Sequence, residues 1–135
     1  MKRAEVVLTG GYQSYIELQE FIELFAEESG YDRQFTDTLQ LTLKEAYVNA
    51  VRHGNREKDG LSVTCSLTAG ENRLQAAIHD NGSGFDPDEL PDPSENGALM
   101  KLSGRGIHII RNFADISVKR HDGKGATLFL RYLIP

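Results

Sequence analysis

The chain has 135 residues, 39% hydrophobic and 26% charged, with a formal net charge of −5 and a pI near 5.3; one domain with a real core follows, and the acidic balance argues against general nucleic-acid binding while leaving room for a local cationic pocket. One cysteine, Cys65, excludes an internal disulfide. No apolar run reaches the roughly 20 residues of a membrane span, and the opening MKRAEVVLTGG lacks a signal-peptide core, so a cytoplasmic protein is expected.

Residues 4–9 read as a first strand, stopped by Gly10 and Gly11. Residues 14–29 read as a helix, because Leu18, Phe21, Ile22 and Phe25 recur at the spacing of one buried stripe. Its other face is acidic (Glu17, Glu20, Glu23, Glu27, Glu28), which fits either a solvated face or a docking surface for a basic partner, and Gly30 is placed to cap its end. A second helix is expected over 35–53, capped by Thr36 or Asp37, with Leu39, Leu43, Ala46 and Ala50 as its apolar stripe. Glu45 and Asn49 lie four apart and so share one face. That pair is either a solvated face or chemistry. An amide oxygen suits Mg²⁺, which takes its remaining oxygens from waters and phosphates, and a carboxylate one turn away can accept a proton from an attacking hydroxyl. His53 at the helix end reads as a cap favoured by the helix dipole rather than as a catalyst.

Residues 61–67 alternate apolar and polar, the mark of a half-buried strand, with Cys65 on the apolar side as an inert core residue. A turn at 69–72 leads into a strand over 73–79, completing a hairpin. The stretch Asp80-Asn81-Gly82-Ser83-Gly84-Phe85 follows. It puts an acid and two glycines where the chain leaves the sheet. The carboxylate can accept hydrogen bonds from a planar exocyclic amine, and glycine lets backbone approach a ligand closely. Residues 80–106 carry three prolines and no long regular element, which reads as a lid over a ligand or as a disordered insertion. Gly104-Arg105-Gly106 then opens a helix through Ile107, Ile109, Ile110, Phe113 and Ala114, offering free N–H groups and a guanidinium to an anion. A strand from Ile116 and Val118, an Asp-Gly turn at 122–125 and a last strand over 126–133 close the chain. Thr127, at the start of that strand, is by residue type simply a β-former.

These stretches together carry a resemblance. EAYVNAVRHG (45–54) resembles the N box of the GHKL (Bergerat-fold) ATPases, DNGSGF (80–85) their first glycine box, SGRGIHII (103–110) their second, and GAT (125–127) the small motif near their final strand. Order and spacing match over nearly the whole chain. Within that superfamily the chain is most similar to the anti-sigma-factor serine-protein kinases. The resemblance implies one domain over 1–135 with a lid at about 86–103. It implies an α/β two-layer sandwich, a mixed, mostly antiparallel sheet covered on one face by three helices. It implies ATP or ADP with Mg²⁺ as ligands. Asn49 would be the Mg²⁺ ligand and Glu45 the general base. Asp80 would bind the adenine amino group, with Gly84 close to the base and Thr127 supporting the Asp80 contact directly or through water; Gly82 would also line the nucleotide site, and Gly104, Arg105 and Gly106 would hold phosphates.

The same resemblance implies a homodimer that binds a sigma factor and phosphorylates a serine on a STAS-domain antagonist, with no direct nucleic-acid or membrane partner. Other branches fit less well: a sensor kinase needs a phosphoacceptor histidine on a helical hairpin, and further classes carry a transducer domain. One departure stands out. Some family members use an arginine in the first helix to contact both partners, whereas no arginine lies between Arg3 and Arg33, and the corresponding place falls at or beside Tyr15. An alternative is therefore a nucleotide-dependent binding module that sequesters a regulator with little or no phosphoryl transfer. The plainest alternative reads the boxes as turns and caps of an unrelated α/β domain.

Overall fold

The computed structural model describes residues 1–55, 61–81, 105–121 and 124–135. In chain order these form β1 (Lys2–Leu8), a 3₁₀ turn (Gly11–Ser14), α1 (Tyr15–Ser29), α2 (Arg33–Asn49), one π turn (Ala50–Gly54), β2 (Val63–Ala69), β3 (Arg73–Asp80), α3 (Arg105–Arg111), β4 (Asp115–Arg120) and β5 (Ala126–Leu133). The expected order of elements holds, with boundaries displaced by a few residues.

The five strands form one sheet in the order β1-β2-β3-β5-β4, with the helices on one side. All four neighbouring pairs are antiparallel, so the sheet is not mixed as expected. The reason is topological. β3 and β4 run in the same direction across the α3 connection, but β5 returns from β4 into the slot between them, so among the described residues no two parallel strands touch.

The inward rows follow strand alternation: Val63, Cys65 and Leu67 from β2, Leu74, Ala76 and Ile78 from β3, Leu130 and Tyr132 from β5. They meet Leu18, Ile22 and Phe25 of α1, Leu39, Leu43 and Tyr47 of α2, and Ile107 and Ile110 of α3. Burial pushes the Cys65 thiol up to about 12, so it stays protonated and packs as a small apolar side chain.

Caps set the helix ends. Gly30 ends α1 at φ 74°, a left-handed turn that glycine takes without a Cβ clash. The cap of α2 is Asp32, whose carboxylate accepts from the Phe35 N–H at 2.8 Å, so the helix starts earlier than Thr36 or Asp37 would place it. α3 stops at Arg111, and Phe113, expected on its buried side, lies beyond it and is 48% exposed.

α1 and α2 are clamped together at the surface. Arg33 reaches both oxygens of Glu23, at 2.7 and 2.8 Å, and also Asp37 at 2.8 Å; the Gln40 amide donates to Glu23 at 2.9 Å. Part of the acidic face of α1 is therefore spent on structure rather than only solvated. The Arg33 guanidinium and then the Gln40 amide hold the Glu23 carboxyl down to about 2. A carboxyl lowered on folding contributes stability above its unfolded value near 4.5 and loses it as pH falls toward 2. Wild type should therefore out-stabilise Glu23→Gln modestly at pH 6 and low salt, and the gap should close between about pH 4.5 and pH 2 in urea titrations.

Candidate functional site

Asp80 is the fourth inward position of β3, after Leu74, Ala76 and Ile78, and is only 5% exposed. A carboxylate taken from water needs compensating donors, and at a strand end these can come from a ligand. Gly125, at the entrance of β5, comes up against it. Its φ is +87°, and a Cβ there would stand 2.0 Å from the Asp80 carbonyl oxygen and 2.7 Å from Oδ1. Only a residue without a side chain fits. The Gly125 carbonyl accepts from the His121 N–H at 2.9 Å, which ties this approach to the end of β4.

Glu45 and Asn49 are both half-buried in the last turns of α2. The helix then widens into the π turn, closed by the Asn55 N–H on the Ala50 carbonyl at 2.8 Å. Such widened turns occur often at functional sites. The amide nitrogen assigned to Asn49 is buried and has no hydrogen-bond partner among the described residues. A side-chain amide can turn either its nitrogen or its oxygen toward a ligand. A hard cation on the oxygen, or a phosphate on the nitrogen, suits it. Among the described residues no cluster of three or more His, Cys, Asp or Glu could hold a metal, so a cation here would draw most of its oxygens from phosphate and water.

The α2 end and the β3 end are joined directly. Buried Asn55 donates from Nδ2 to the Ser62 carbonyl at 3.0 Å and accepts the Asn81 N–H on Oδ1 at 3.1 Å. Asn81 also donates its amide to the Ser62 hydroxyl at 2.6 Å. Asn49 and Asp80 thus belong to two segments locked to each other.

Thr127 stands elsewhere. It pairs with His79 across β3 and β5, and alternation puts both on the sheet face opposite Asp80. Its hydroxyl lies 2.9 Å from Nδ1 of His79 and 2.9 Å from Nε2 of His121. The Thr127 hydroxyl is thus engaged by two histidines on the far face, and Ala126 is the β5 residue in phase with the inward row. Gly106 is buried in the first turn of α3, and that helix packs against α2. Gly82, Gly84, Gly104, the lid at about 86–103 and the side chains of Arg105 and His53 lie outside the described residues. Sequence reasoning missed Asn55 and Ser62, whose roles rest on long-range hydrogen bonds. It quoted Gly125 only as part of a motif, although an Asp-Gly turn beside a candidate acid was the available signal.

Residues 12–132 match the family model described as a histidine kinase-like ATPase domain. Relatives include serine-protein kinase RsbW of Listeria monocytogenes, 23% identical over 111 residues covering 78% of this chain and 70% of that one. RsbW of Bacillus subtilis is 27% identical, covering 73% and 66%, and the anti-sigma F factor of Clostridium acetobutylicum 26% identical, covering 79% and 76%. Among solved structures, the mycobacterial sensor histidine kinase MprB shares the fold at TM-score 0.52 and 13% identity, covering 98% of both chains. Full-length ShkA with AMPPNP shares it at TM-score 0.50 and 21% identity, the chain covering 22% of ShkA's length. The chain belongs to the histidine kinase-like ATPase domain family, the GHKL class.

Gly125→Ala should cost about 1–3 kcal/mol in backbone strain and more from displacing Asp80. Urea unfolding reads the stability, and nucleotide titration should show affinity falling with it.

Proposed function

We propose that this chain is an ATP-dependent protein serine kinase of the anti-sigma type, which phosphorylates a serine on a STAS-domain antagonist in a partner-switching circuit. The observation that carries the reading is the junction of two segments: the α2 end with Glu45 and Asn49, and the β3 end with buried Asp80, tied through Asn55. The printed names of the relatives, serine-protein kinase and anti-sigma F factor, support the same class.

In this reading Asp80 accepts a hydrogen bond from the adenine amino group, and Gly125 leaves the carboxylate room to sit at the strand end. Asn49 holds Mg²⁺ through its amide oxygen, and Gly104, Arg105 and Gly106 hold phosphate oxygens, with Gly82 and Gly84 beside the base. Bound Mg²⁺ neutralises charge on the phosphates during transfer. Glu45 accepts the proton of the acceptor serine. The serine oxygen bonds to the γ-phosphorus as the bond to the ADP oxygen breaks. Thr127 acts indirectly, bracing the β3 and β5 ends from the far face through His79 and His121. A homodimer that binds a sigma factor completes the proposal.

The alternative, a nucleotide-dependent module that sequesters a regulator without phosphoryl transfer, is favoured by the first helix. Where some members carry an arginine, Tyr15 stands with Lys44 of α2 5.9 Å from its ring centre.

Glu45→Ala separates the two. Under the kinase reading, incubation with [γ-³²P]ATP and a STAS-domain protein should show transfer reduced about 10²–10⁴-fold, with ATP affinity retained. Equal transfer by variant and wild type removes Glu45 as the base; no transfer by wild type favours the binding module.

A further inference from the structure

Asn55 is a polar side chain 3% exposed, with both ends of its amide engaged. It joins three segments: the π turn that ends α2, the entrance of β2 at Ser62, and the exit of β3 at Asn81. The Asn81 N–H that it accepts is part of the same planar peptide unit as the Asp80 carbonyl, and Gly125 stands so near that carbonyl that a Cβ there would lie 2.0 Å from its oxygen. The Asp80–Asn81 peptide plane is therefore gripped between Asn55 and Gly125. Ser62 doubles the grip, its carbonyl accepting the Asn81 N–H at 3.2 Å and the Asn81 amide at 3.2 Å.

We infer that Asn55 is a positioning residue for base selection. It fixes the Asp80–Asn81 plane relative to the helix end that carries Asn49, and so sets both the aim of the Asp80 carboxylate and the span between the base end and the phosphate end of a bound nucleotide. This rests on the proposed contact between Asp80 and an exocyclic amine. A hydrogen bond is directional and weakens steeply off line. A carboxylate held in one orientation therefore discriminates adenine, which offers an amine donor, from hypoxanthine, which offers a carbonyl oxygen at the same ring position. A carboxylate free to swing discriminates less.

The test is the ratio of ITP to ATP dissociation constants, measured by titration calorimetry with Mg²⁺ for wild type, Asn55→Leu and Asn55→Asp. Asn55→Leu keeps the volume and removes both hydrogen bonds. Asn55→Asp keeps the acceptor for the Asn81 N–H and loses the donor to Ser62. Thermal unfolding of each variant reports the structural cost separately.

The expected result is a wild-type preference for ATP that falls about tenfold in Asn55→Leu, the worth of one lost directional hydrogen bond. Most of the preference should survive in Asn55→Asp. ITP affinity should change little, which a purely structural role would not produce. Equal weakening of ATP and ITP in folded Asn55→Leu, with the ratio unchanged, overturns the inference while leaving the Asp80 contact intact. Should Asn55→Leu fail to fold, loss of the preference in Asn55→Asp, which keeps the acceptor for the Asn81 N–H, overturns it equally. A wild type with no preference for ATP over ITP defeats the Asp80 contact itself, and the inference with it.

Discussion

The candidate site hangs on the phase of one strand. β3 alternates, and its inward row runs Leu74, Ala76, Ile78, Asp80. Three apolar members fix the direction of the fourth, because a one-residue slip would turn the whole row to the open face. Pairing with β2 on one side and β5 on the other pins that register along the strand. The fold thereby puts a carboxylate at the edge of a dry core, where a directed donor counts for more than it does in water.

The second constraint is the link between sheet and helix. α2 begins at the Asp32 cap, is held against α1 by Arg33 and Glu23, and ends in a π turn whose C-cap, Asn55, reaches Asn81 at the exit of β3. The clamp and the Asn55 junction hold opposite ends of one helix. Glu45 and Asn49 lie nearer the second, on the part of the helix whose position the sheet dictates. The placing of β5 between β3 and β4 brings Gly125 to Asp80, so the same topology that removes parallel pairing also closes one wall of the site.

Much of this is readable without coordinates where the signal is periodic. The stripes of α1 and α2, the hairpin of β2 and β3, and the inward face of Cys65 follow from spacing alone. Helix starts are harder: Arg33 and Gln34, which precede the first apolar residue Phe35, are polar, so periodicity cannot find them, and Asp32 acts through its cap bond to Phe35. Thr127 teaches more. Leu128, Leu130 and Tyr132 already define the β5 phase, and a residue adjacent to Leu128 must face the other way. The alternation in the sequence thus already placed Thr127 on the sheet face away from Asp80. Asn55, by contrast, looks like any polar residue after a helix, because nothing local records that Ser62 and Asn81 will meet it.

The most direct measurement of the central claim is thermal unfolding with and without Mg²⁺ and ATP, for wild type and for Asp80→Asn, an isosteric change that removes the charge and replaces one of the two acceptor oxygens with a donor. Nucleotide at about 100 times its dissociation constant should stabilise wild type by roughly 2.7 kcal/mol, and Asp80→Asn should abolish that shift while folding as before. An equal shift in both proteins, or none in wild type at millimolar nucleotide, would contradict the account.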